Sequence, residues 1–160
     1  MRIISPAITL SEVLWAELIW DASKATFAAT AVLAIGVAMG DFRAGGALLA
    51  VPLCFAGAEL FAALGVFVAA KSKTIEEISY PQYLLIFPMF LFCGVFFPVA
   101  NLPSSLQLLA WALPLTSIAS LTRTLTLGTP LEPRVFVLII AWLAVVTPLS
   151  RNAMSRRLVK

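Results

Sequence analysis

The chain contains no histidine, which removes the commonest general base and the commonest imidazole metal ligand. Charge is nearly as scarce. Only 12% of the 160 residues are Asp, Glu, Lys or Arg, against 61% hydrophobic residues and a mean hydropathy of +1.01. A soluble globule of this length could not cover its surface with so few charges. There are two cysteines, Cys54 and Cys93, each inside an apolar run. With no further soft ligands nearby they are expected as two buried, unpaired thiols rather than a disulfide or a metal pair. No G-x-x-x-x-G-K-S/T loop is present, so no nucleotide is held in the P-loop manner, and there is no H-E-x-x-H, Cys/His cluster or Ser/His/Asp set. The expectation is therefore no catalytic residue, no metal, no cofactor and no nucleic-acid partner.

What is abundant is lipid-grade sequence, spread over the whole length rather than confined to a leader. This predicts an all-α integral membrane protein, one membrane domain over 1–160. Thr9-Leu10-Ser11-Glu12 is a capping-box pattern with Ile8 and Val13 placed as its staple. Over 9–24, Glu17, Asp21 and Lys24 fall at i, i+4 and i+7 and make one polar stripe, with Trp15 and Trp20 suited to a membrane–water boundary. Two readings stay open here: an interfacial helix, or the solvated first turns of the following span. Spans are expected over 20–40, where Gly36 and Gly40 form a G-x-x-x-G, and over 47–70, where Pro52 either kinks the helix or marks its first turn. Glu59 falls in the middle of that second span. A carboxylate there costs about 2.5 kcal/mol or more facing lipid, so it lines a path or bonds a neighbouring helix. Residues 71–80 read as a solvated loop carrying Glu76 and Glu77. A third span is expected over 82–97, kinked at Pro88, and a last one over 134–149, followed by a basic tail over 150–160.

Residues 90–128 carry the unusual feature. An apolar run breaks at Pro98, enters the polar turn Asn101-Leu102-Pro103-Ser104, and is followed by two apolar pieces hinged at Pro114 and stopped at Gly128. At about 1.5 Å per residue each piece reaches roughly 15 Å, half of a ~30 Å hydrocarbon core. Neither spans alone, so 103–128 is expected as a re-entrant helical hairpin. Its many Ser and Thr residues are expected as caps and backbone partners. Arg123 either snorkels to headgroups or holds an anionic group.

Charge placement leads to the same topology. With the 71–73 loop and the tail on the cytoplasmic side, Arg2, Lys24, Lys71, Lys73, Arg151, Arg156, Arg157 and Lys160 lie inside, while Arg43, Arg123 and Arg134 lie outside. That bias requires an even number of crossings between Lys73 and Arg151, which 82–97 and 134–149 supply only if 103–128 turns back. Four spans with both termini cytoplasmic result.

Several motifs in order resemble type 2 ATP-binding-cassette exporter permeases: Gly94-Val95-Phe96-Phe97-Pro98-Val99, Asn101-Leu102-Pro103, Leu113-Pro114-Leu115-Thr116, Arg123 and Leu127-Gly128, with Leu14-Trp15-Ala16-Glu17 upstream. The nearest look is to the permeases of nodulation lipo-oligosaccharide export and their drug and polysaccharide exporter relatives. The resemblance implies a non-enzymatic membrane subunit of the bacterial inner membrane. It would work with a separate ATP-binding-cassette ATPase and a second permease half, in contact with membrane lipids. It implies a cytoplasmic coupling helix over 9–24, with Glu12, Glu17, Asp21 and Lys24 facing the ATPase. It also implies an exterior gate carrying Pro98, Asn101, Pro103, Pro114, Thr116, Arg123 and Gly128. Glu59 is no part of that pattern, and Ala16 stands where some relatives have Gly. The family's first two spans have no counterpart, so the expectation is a partial chain, with a non-transporting scaffold or relic as the alternative and a membrane enzyme as a remote third.

Overall fold

A computed structural model of the chain describes residues 10–158, which are helices and short connections with no strand among them. The first element, α1 (Leu10–Ala38), is a single helix of 29 residues. No Pro or Gly occurs before Gly36 to interrupt it, so the polar-striped segment and the first span are one rod rather than two elements. At about 1.5 Å per residue it is roughly 43 Å long, more than a ~30 Å hydrocarbon core requires. Its surplus is the striped first turns. The Thr9 end of the capping box lies outside the described residues.

The G-x-x-x-G at the other end of α1 works within its own turn. A Cβ on Gly36 would overlap the Phe42 ring, so this glycine makes room for Phe42 to fold back. Gly40 (φ 84°) turns the chain out of the helix, with the Asp41 and Phe42 amides donating to the Gly36 carbonyl at 3.0 and 3.1 Å.

Next, α2 (Ala44–Lys71) passes through Pro52 without a break. The stretch read as a loop then becomes helical: α3 (Ile75–Pro81) begins inside it. Thr74 Oγ1 accepts the Glu77 amide at 3.3 Å, and Glu77 reaches back to accept the Lys73 amide at 2.6 Å. This is a capping pattern, T-x-x-E, that the sequence displayed and the loop reading overlooked. A π-helical turn (Gln82–Ile86) and α4 (Phe87–Phe92) follow, with right-handed helical backbone at the junctions. The wide turn has a cause. Pro88 cannot donate to Leu84 and its ring would crowd that carbonyl, and a π turn relieves both. Helix stops at Phe92, five residues short of the expected end of the third span.

After a one-turn 3₁₀ helix (Val99–Asn101) come α5 (Ser104–Ala112) and α6 (Pro114–Leu127), inclined at 89° to each other across Leu113. Last is α7 (Arg134–Leu158), which continues well past residue 149, so the described part of the basic tail is helical. Among the described residues three helices, α1, α2 and α7, are long and apolar enough to cross a membrane, four if the bent α5–α6 pair counts as one span. The expected third span over 82–97 is not among them, because the π turn and the stop at Phe92 leave no single helix of that length.

The core is strung along α2. Near its start Ala47 and Ala50 pack on Leu33 of α1 and Leu125 of α6. Near its end Ala63 packs on Leu18 of α1 and Val146 of α7. Between them Leu53 joins Leu121, Val135 and Ile139. Small residues set the approach of α6: a Cβ on Gly46 would run into the Leu125 carbonyl, and one on Gly57 would lie 3.2 Å from the Ile118 side chain. Gly46→Leu should force the two backbones apart and cost about 2 kcal/mol or more. A thermal melt in detergent checks this, and an unshifted midpoint would contradict the packing.

Candidate functional site

The residues singled out by pattern fall into two groups at opposite ends of the helices. Leu18 and Leu33 of α1, which pack at the two ends of α2, are about 22 Å apart along their helix.

The first group is the stripe on α1. Leu14, Leu18 and Ala22, four residues apart, are buried toward the bundle, which leaves the polar residues on the other faces. Asp21 and Lys24 pair at 2.7 Å, and the Lys24 ammonium lies 5.6 Å from the Trp20 ring centre. Both groups are well solvated, so the pair contributes little stability. Glu17 and Asp21 also border a furrow with Phe61, Ala62, Gly65 and Val66 of α2. Glu12 is exposed on the same turns. The hydroxyls of Ser23, Thr26 and Thr30 donate to carbonyls four residues back, at 2.7 to 2.8 Å, so α1 needs no partner for them.

The second group surrounds the bend. α6 runs antiparallel to α2: its last turn meets the α1–α2 connection, where the Arg43 amide donates to the Thr126 carbonyl at 2.9 Å. Ile118 reaches Gly57, about 20 Å into the ~42 Å length of α2. The corner itself sits beside α7, where Trp142 Nε1 donates to the Ala112 carbonyl at 3.1 Å. Trp142 is eight residues, about 12 Å, from the start of α7. The corner therefore lies between the two ends of α2 and α7, and α6 runs from it to the end where those helices begin. Pro114 stands at the first helical position of α6, where its missing N–H costs nothing. Gly128 ends that helix with φ 72°.

Arg43, Arg123 and Arg134 each have a task in this group. The Arg43 guanidinium lies directly on Gly128, at the electronegative end of α6. Arg123 Nη2 donates to the Cys93 carbonyl at 3.3 Å, at the corresponding end of α4. Within the chain Arg123 thus braces the turn where the third helical run stops. Gly94 makes that close approach possible. Its φ is 83°, and a Cβ there would sit 3.0 Å from Val99 and 3.3 Å from Arg123. Arg134 pairs with Glu132 at 2.9 Å and stacks on Trp111, 4.0 Å from the ring centre.

Pro98, Asn101 and Pro103 lie in the connection 93–103. The Asn101 amide donates to the Pro98 carbonyl at 3.0 Å, and Gln107 Nε2 donates to the Ala100 and Leu102 carbonyls at 3.1 and 2.7 Å. Gln107 had no pattern to announce it; only the folded-back loop gives it two carbonyls to serve. Thr122, Thr124 and Thr126 donate within α6 at 2.8 to 3.1 Å. Thr116 and Ser117 do not fit the backbone-partner expectation: both hydroxyls are buried and without a hydrogen bond. Glu59 is half-buried on α2 and has no hydrogen bond or ion pair to another described residue. Cys54 and Cys93 are free thiols, and no group of His, Cys, Asp or Glu among the described residues could hold a metal ion.

Residues 2–127 match the ABC-2 type transporter family. The chain belongs to that family. It is 31% identical to Nodulation protein J of Bradyrhizobium diazoefficiens over 125 residues, covering 78% of this chain and 48% of the relative. The Rhizobium meliloti protein of the same name is 31% identical over 81% of the chain and 49% of its own length. That of Sinorhizobium fredii is 33% identical over 77% and 47%. The chain thus spans about half the length of the relatives it matches. No solved structure matches it. The family match takes in the α1 stripe and the bent pair and stops at the end of α6.

Replacing Arg123 with Met keeps the length of the side chain and removes its donor. The Cys93 amide, which donates to the Met89 carbonyl at 2.9 Å, should then exchange hydrogen about tenfold faster while the amides of α2 are unchanged. Equal exchange at Cys93 would show that Arg123 does not brace this turn.

Proposed function

We propose that this chain is permease sequence of an ATP-driven ABC exporter in the bacterial inner membrane, with both termini cytoplasmic. A separate ATP-binding-cassette ATPase supplies the energy, and a second permease half, a copy or a relative, completes the path. The substrate is an amphiphile of the lipo-oligosaccharide, polysaccharide or drug kind. The observation that carries this reading is the right-angled α5–α6 pair, whose corner sits beside Trp142, in a chain of the ABC-2 family.

The mechanism follows from the two groups. The α5–α6 pair enters and leaves on the outer side as a re-entrant gate, held by Arg43 and Arg123 and floored by Pro114 and Thr116. The surplus turns of α1, bearing Glu12, Glu17, Asp21 and Lys24, project on the inner side and receive the ATPase. Because α1 is one unbroken helix, a push on those turns is transmitted along a rod to the Phe42–Arg43 connection and so to the end of α6. Glu59, half-buried and unpaired on α2, faces the path.

Purification from native membranes should bring an ATPase subunit with the chain. Glu17→Lys, which reverses one charge on the coupling face, should cut that recovery about tenfold without reducing insertion. Failure to recover any ATPase from native membranes would overturn the reading.

A further inference from the structure

A second furrow, of about 300 Å³, runs between α2 and the α3–π–α4 run, and no part of the proposed transport mechanism uses it. Its walls are apolar: Phe61, Leu64 and Val68 on α2 face Pro81, Leu85 and Met89. Two backbone features create it. Gly65 contributes no side chain, and a Cβ there would meet nothing within 4 Å. Opposite, the π turn sets Leu85 and Ile86 off the α-helical register, leaving them 46% and 45% exposed.

The furrow ends in positive charge. Phe67, part of its lining, carries the Lys71 ammonium 4.7 Å from its ring centre, and Lys73 lies two residues on. Neither lysine has an ion pair among the described residues, and Glu77 spends its carboxylate on the Lys73 backbone amide. Glu76 is the remaining nearby countercharge and is exposed on α3. An apolar trough that opens on hydrocarbon and closes on unpaired ammonium groups matches an acyl chain joined to an anionic headgroup. Lysines placed to meet a headgroup phosphate attract an anionic lipid, and a zwitterionic lipid draws far less from them.

We propose that this furrow is a binding site for an anionic phospholipid, its acyl chain lying over Gly65 and its phosphate held by Lys71 and Lys73. The site lies at the end of α2 that also packs on the α1 stripe, so a bound lipid would stiffen the junction of α2 with α3.

Native mass spectrometry of the chain in detergent, with phosphatidylglycerol or phosphatidylcholine added, tests this. Phosphatidylglycerol should be retained and phosphatidylcholine should not. Gly65→Leu fills the open space and should abolish retention. Because Gly65 also borders the furrow beside Glu17, Leu85→Trp, at a residue that lines this furrow and not that one, should do the same. Lys71→Gln with Lys73→Gln leaves the trough intact and should weaken phosphatidylglycerol retention about tenfold. Equal retention of the two lipids, or undiminished retention in Gly65→Leu and Leu85→Trp, would overturn the proposal. So would a wild-type dimer without bound lipid that Gly65→Leu converts to monomer, since a second copy would then be the occupant.

Discussion

The close approach of α6 to α2 governs the arrangement of the end of this molecule where α2 begins. It is permitted by two absent side chains, those of Gly46 and Gly57, and it fixes α6 antiparallel to α2 over the first half of that helix. In lipid such contact is worth most where backbones come near, because apolar side chains gain nothing by leaving hydrocarbon for one another. Once α6 is seated there, its start is carried part-way along α2, where the chain bends by 89° into α5. Leu113-Pro114 makes the turn, and Trp142 takes up the carbonyl that it exposes.

A sharp turn between helices leaves backbone carbonyls to be satisfied. The Cys93 carbonyl at the end of α4 is met by the Arg123 guanidinium, and the Thr126 carbonyl near the end of α6 by the Arg43 backbone amide, with the Arg43 guanidinium lying beside Gly128. The connection 93–103 is served in the same way by Gln107 and its own 3₁₀ turn. Arg43 and Arg123 sit at the electronegative ends of α6 and α4, while Arg134, at the start of α7, is taken up by Glu132 and Trp111. The opposite end is organised differently: α1, α2 and α7 pack through Leu18, Ala63 and Val146, while the polar stripe of α1 lies off that core.

Much of the helical, membrane-bound character was legible in composition, because 61% apolar residues and no histidine leave few other classes open. Punctuation by Pro114 and Gly128 was legible because these residues act through their own backbone geometry. Other features were not. The unbroken α1 hides behind a change in composition near Lys24, and composition alone does not break a helix that lacks Pro and Gly. The early stop of α4 depends on Gly94, whose left-handed turn is stabilised by Arg123 from thirty residues away. The placement of Arg43 on Gly128, and of Gln107 on the loop, arises only once distant segments meet. The helix opening at Thr74 was readable and was missed because its two glutamates drew attention as charges rather than as a cap.

The depth of the α5–α6 corner tests the account most directly. With Cys54 and Cys93 replaced by Ala and a fluorophore on Leu113→Cys, the protein would be placed in vesicles containing lipids quenched at graded positions along their chains. The corner is predicted to be quenched best from the middle of the acyl chains, while a label at Thr129→Cys is quenched only from headgroups and aqueous quencher on the outer side. Strong quenching of residue 113 from the opposite headgroups would mean that α5 and α6 cross the membrane as one bent span, contradicting a gate that turns back.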